Sequence, residues 1–104
     1  MLLGVVSPLK QPNETYIVEI DFTNDLDPTG SEIITSRNVT SRRLFDGADS
    51  TNAFLSGAPA GGNTTCTARI TSGSAGERHR VQMQVITNLG NVYEHEIDVE
   101  VAEI

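Results

Sequence analysis

The side chains here that could bind a metal or act on a substrate are two histidines, one cysteine and a scatter of aspartates. His79 and His95 would share a metal only if a nitrogen of each came within about 2.1 Å of one point. Cys66 would act as a nucleophile only beside a base that drew off its proton. It alternates with Ala68 and Ile70 along one side of a short apolar stretch, the setting of a small buried hydrophobe. Asp21, Asp25, Asp27, Asp46 and Asp49 carry the oxygen ligands that calcium takes. Their spacing fits no single calcium-loop pattern, and turns use aspartate for local hydrogen bonds of their own. Gly57, Gly61, Gly62, Gly73 and Gly76 lack the lysine and the strand-to-helix setting of a phosphate loop. Arg37, Arg42, Arg43 and Arg69 make up a small basic set, expected to be solvated and paired with carboxylates.

Three triplets, Asn13-Glu14-Thr15, Asn38-Val39-Thr40 and Asn63-Thr64-Thr65, match the glycosylation acceptor pattern. About one match is expected by chance in a chain of this composition, so three is a slight excess. With no signal peptide in the sequence they are taken as coincidence. No base, nucleophile and charge stabiliser converge. The expectation is a protein that is not an enzyme, with no catalytic, cofactor-binding or metal-binding residue and no cofactor.

The element that positions the two histidines is a long β-hairpin from Glu77 to Val101. Val81, Met83 and Val85 alternate with Arg80, Gln82 and Gln84; Tyr93, Ile97, Val99 and Val101 alternate with Glu94, Glu96, Asp98 and Glu100. Period-two alternation gives one face to a core and the other to water. A two-residue turn at Leu89-Gly90 would set Val85 against Glu94 and Met83 against Glu96. A three-residue loop, Asn88-Leu89-Gly90, instead pairs Val85 with Tyr93, Met83 with His95 and Val81 with Ile97. It also puts glycine where a type I turn with a bulge needs positive φ. The outer face then pairs Arg80 with Asp98 and Arg78 with Glu100, each worth about 0.2–1 kcal/mol. This register satisfies turn, core and charge together. It places His79 four residues along the ladder from the Met83–His95 pair, about 13 Å at the rise of a strand. The histidines are therefore expected at separate ends of the core rather than on one metal.

Before the hairpin, Tyr16, Val18, Ile20 and Phe22 alternate with Ile17, Glu19 and Asp21 as a second strand. Residues 24–31 are dense in turn formers. From Glu32 to Phe45 the pattern is strand-like but broken, with Ile33, Thr35 and Val39 on one parity and Ile34 on the other. Asn52 to Leu55 reads as a short strand and Ser56 to Asn63 as a flexible loop. Thr64 to Thr71 resumes alternation. No ten-residue span keeps helical spacing. The 14 residues at the start, with Pro8 and Pro12, read as an extended arm (1–14) leading into a single domain (15–104). The fold expected is all-β, an immunoglobulin-like antiparallel β-sandwich of about seven strands, without the paired cysteines and tryptophan of antibody domains.

Formal net charge is −7, from seven basic and fourteen acidic residues. That argues against nucleic acid as a partner, because nucleic-acid binding neutralises phosphates. One cysteine excludes an intrachain disulfide and a structural zinc held by several thiolates. The opening MLLGVV is too short for a secretory signal, and no run reaches the length of a membrane span. The expectation is a soluble chain made in the cytoplasm.

The stretch ARITSGSAGERHRVQMQVITNLGNVYEHEIDVEV, residues 68–101, is similar to a family of small proteins encoded in tailed bacteriophages and prophages, among head and tail structural genes. Ser72-Gly73 and Ala75-Gly76 match the family's turn, and Val81, Val85 and Thr87 its next strand. Gly90 matches the hairpin glycine, and Glu96, Ile97 and Val99 the last strand. Lys10, Pro12 and Glu14, then Tyr16 and Asp21-Phe22, resemble the lead into its first strand. The resemblance implies an immunoglobulin-like structural or virion-accessory module that acts by protein–protein contacts. It would be made in the bacterial cytoplasm and carried in a phage particle. Its partners would be phage head or tail proteins, with a homo-oligomer also expected, and neither nucleic acid nor membrane. The contact surfaces expected are the edge strand of the terminal hairpin and the Ser56–Asn63 stretch. The alternative reading is a carbohydrate- or surface-binding immunoglobulin-like module of a bacterial extracellular assembly, which would need aromatic rings grouped on one exposed face.

Overall fold

The computed structural model describes residues 9–10, 15–71 and 73–101. The elements in chain order are β1 (Leu9–Lys10), β2 (Tyr16–Asp21), β3 (Ile34–Arg43), α1 (Thr51–Phe54), β4 (Leu55–Ala60), β5 (Thr65–Ile70), β6 (Arg78–Thr87) and β7 (Val92–Val101). Apart from the single helical turn α1, the described residues form β-strands and their connections. One sheet has the order β1-β7-β6-β3 and the other β2-β5-β4. Every pairing is antiparallel except that of β1, which runs parallel to β7 with Leu9 opposite Glu100 and Lys10 opposite Val101. Of the expected arm 1–14, only these two residues are described; the rest, Asn13 included, lies outside the described residues.

The hairpin has the register that turn, core and charge require. Val85 faces Tyr93, Met83 faces His95, Val81 faces Ile97, Arg80 faces Asp98 and Arg78 faces Glu100. Gly90 ends the three-residue loop at φ +84°. The inward residues of β6 and β7 meet those of the other sheet in one buried cluster. Val81, Met83, Val85 and Val99 come from the larger sheet; Val18, Ile20, Cys66 and Ile70 come from the smaller. Phe22 and Phe54 close its two ends. Each such side chain contributes roughly 1.5–3 kcal/mol relative to exposure.

One expectation gains a detail and two need correction. The broken pattern after Glu32 is one strand, β3, whose pairing with β6 slips between Ile34 and Ser36. That bulge moves the extra residue out of register, so Ile34 and Val39, of opposite parity, are both buried. Asn52–Leu55 is not a strand. Thr51–Phe54 makes one helical turn, closed by the Phe54 N–H donating to the Ser50 carbonyl, and this drops Phe54 into the core. The Ser56–Asn63 stretch is mostly strand. Leu55–Ala60 pairs with β5, with the register lost between Ser56 and Ala60 around Gly57 at φ +77°. Its glycine and proline mark a bulged edge strand.

Candidate functional site

At the start of β6 a chain of polar side chains is sealed under α1. His79, buried, stacks on the Phe54 ring with centroids 3.9 Å apart. Its Nε2 lies 3.0 Å from Glu77 Oε1 and its Nδ1 2.9 Å from Ser50 Oγ. A carboxylate only accepts, so Nε2–H donates to Glu77, and in the neutral ring Nδ1 accepts the Ser50 hydroxyl proton. Ser50 Oγ lies 2.8 Å from Ser41 Oγ. The Ser74 N–H and His79 both bond Glu77 and hold its carboxyl below the usual range. Serine, histidine and glutamate thus stand in the order of a hydrolytic triad, beside a cavity of about 280 Å³. The described residues around it do not complete an acyl-transfer site. The Ser50 N–H is spent on the Ser41 carbonyl and the Thr51 N–H on Asp49 Oδ1, so neither faces the point where negative charge would develop. What this relay can do is tie α1, β3 and β6 together.

His95 lies toward the other end of the core, its Nε2 2.6 Å from Asp25 Oδ2 and its ring 4.9 Å from that of Phe22. Each histidine has its own carboxylate and its own aromatic neighbour. Among the described residues no three His, Cys, Asp or Glu side chains converge as a metal site. Near His95 is a residue that the sequence reading passed over. Glu32 is 3 % exposed and accepts from Thr87 Oγ1 at 2.7 Å, Asn91 Nδ2 at 2.8 Å, the Asp27 N–H at 2.9 Å and the Tyr93 hydroxyl at 3.3 Å. The Thr87 and Asn91 bonds outweigh desolvation and hold its carboxyl below the ordinary glutamate range. Glu32 clamps the 23–33 loop to the hairpin tip. Its partners Thr87, Asn91 and Tyr93 are more than fifty residues away in the chain, so nothing local announces it.

The remaining aspartates are spent in turns. Asp21, Asp27, Asp46 and Asp49 each accept the backbone N–H two residues on. Arg43 hydrogen bonds also bring Asp46 down to about 2. Cys66 is fully buried, and burial pushes its thiol up to about 11. Asn38 and Asn63 of the glycosylation patterns are exposed.

The arginines do not form one patch. Arg37 donates to the carbonyls of Thr65 and Gly62. Arg43 pairs with Asp46 and Glu77, Arg78 with Glu100 and Arg80 with Asp98. Among the described residues Arg37, Arg42 and Arg69 have no carboxylate partner, against expectation, and the guanidinium groups of Arg42 and Arg69 bond nothing at all. Arg42 faces Arg80 across the ladder, whose own partner is Asp98. Arg69 stands between Ile17 and Ser56.

Two sheet edges bear on binding. The expected one, β7, carries β1 at Glu100 and Val101. The other, β3, was not singled out in the sequence. Its ends are covered: Ile34 donates to the Asn63 carbonyl, and the Ser41 carbonyl and Arg43 N–H bond to residues 48–50. Between them no backbone hydrogen bond crosses its outer edge among the described residues.

No curated protein matches the chain. The profile of one protein family, described as podophage GP4 fiber-tail adaptor protein gp77, matches residues 10–100. That span takes in the strands β2 to β6, most of β7, the hairpin tip and both buried histidines, and it places this chain in the podophage fiber-tail adaptor family.

Proposed function

We propose that this chain is a non-enzymatic part that fastens a fibre to the tail of a podophage particle through protein–protein contacts. The observation that carries the reading is the family match over residues 10–100. The shape agrees with it. The molecule measures 44 × 23 × 22 Å, and large apolar side chains are exposed at both ends of its long strands, Phe45 at one and Ile86, Leu89 and Val92 at the other. A body with sticky ends suits a part that touches two neighbours.

The fold we infer is a single immunoglobulin-like sandwich over residues 15–104. The orders β2-β5-β4 and β3-β6-β7 correspond to strands B-E-D and C-F-G of that architecture, with β1 beside the last strand. Nucleic acid is not among the partners, since a chain of net charge −7 repels phosphates. A sugar-binding role has little to stand on. Phe22 and Phe54 are buried and Tyr93 is engaged with Glu32, so they offer no stacking platform.

Mass spectrometry of density-purified particles, with and without the gene, tests the proposal. The chain is expected at fixed stoichiometry with tail proteins, and particles lacking it are expected to lose their fibres. Fully fibred particles without the chain would overturn it.

A further inference from the structure

Resting on that reading, we infer where the chain grips one partner: the open edge of β3 takes an added strand from a fibre or tail protein, and that strand is acidic. Three observations lead there. The first is the backbone. Ser41 turns both its N–H and its carbonyl away from β6, bonding Thr51 Oγ1 and the Ser50 N–H. Backbone direction alternates along a strand, so Val39 and Arg37 present their N–H and carbonyl groups to the same side, where no partner meets them among the described residues. The facing edge, β4, is blunted by Pro59 and by its broken register, whereas β3 has no proline and is made largely of threonine, serine and arginine.

The second is shape. A groove of about 270 Å³ on this flank is lined by Thr40, Arg42 and Thr51, and a second of about 180 Å³ by Val39, Thr51, Pro59 and Arg69. Thr51 belongs to both, so they adjoin. The third is charge. Acidic residues outnumber basic ones two to one in this chain, yet the two arginines whose guanidinium groups bond nothing among the described residues, Arg42 and Arg69, both border these grooves. Asp49, which also lines the first groove, has its Oδ1 engaged by the Thr51 N–H. An extended segment can bond Arg37 and Val39 through its backbone and offer side-chain carboxylates to Arg42 and Arg69. A second copy of the chain is a poorer occupant, because net charge −7 would meet net charge −7.

The test replaces exposed Thr40 with the photo-crosslinker p-benzoylphenylalanine and irradiates purified particles. Beside it, particles are made with R42E/R69E and with R42K/R69K, and incorporation is counted by mass spectrometry. The expected cross-link joins position 40 to an extended, carboxylate-bearing segment of another particle protein. R42E/R69E is expected to melt at the wild-type temperature and to be incorporated at least tenfold less, while R42K/R69K is incorporated as wild type. A cross-link to a second copy, or to a segment without carboxylates, would overturn the inference, as would wild-type incorporation of R42E/R69E. Wild-type chain absent from the particles would instead bring down the proposed function, and this inference with it.

Discussion

Glu32 shows how much one side chain can organise. It is buried, ionised and held by four groups from two distant parts of the chain. Its carboxyl lies below the ordinary value of 4.5 in the folded state. A depressed folded pKa stabilises the fold above the unfolded value, and that contribution is lost as pH falls through the folded one. Glu32→Gln is therefore expected to lower the urea midpoint at about pH 7 and to differ less from wild type near pH 3. An equal gap at both pH values would show that the charge is not what matters. Cys66 makes the opposite case. A fully buried thiol pushed up to about 11 presents no thiolate. Labelling by a disulfide reagent at mild alkaline pH is expected to proceed no faster than global unfolding; rapid labelling of the folded chain would contradict that burial.

At the level of elements, two glycines separate strain from collision. Gly90 sits at φ +84° with open space where a Cβ would go. Gly61 sits at φ +141°, and an added Cβ would stand 2.2 Å from the Thr65 carbonyl oxygen. Gly90→Ala is expected to cost about 1 kcal/mol, the strain of a left-handed residue alone. Gly61→Ala is expected to cost about 2 kcal/mol or more, because backbone must move. Urea midpoints of the two variants measure the difference, and equal losses would refute it. The hairpin was legible residue by residue, because period-two alternation, a positive-φ glycine and opposite charges all fix one register. β3 was legible only as a blurred strand, since a bulge reverses parity and a parity pattern cannot show its own reversal. β4 was misread for a related reason. Glycine and proline mark an irregular edge and a loose loop alike, and pairing with β5 decides between them. The His79 relay and the Glu32 clamp are built from pairings set by the tertiary fold. That Arg42 and Arg69 have no carboxylate partner among the described residues is likewise visible only once the carboxylates have been placed.

For the whole molecule, chain order and spatial order run against each other. β3 lies beside β6, and β1 beside β7, yet β6 and β7 come last of all the strands. A ribosome makes β1 and β3 well before the strands that will cover them. The larger sheet therefore cannot assemble progressively during synthesis; it waits for the hairpin, whose three-residue loop closes quickly and then recruits both earlier strands. A nascent chain arrested with Gly76 as its last exposed residue is expected to be digested throughout by a protease, and one arrested on an added C-terminal linker that brings Val101 out of the ribosome to resist; resistance in the shorter chain would refute this order. Until then β3 stands with both edges open, and its translation is the interval in which the chain is most exposed to pairing with the wrong neighbour.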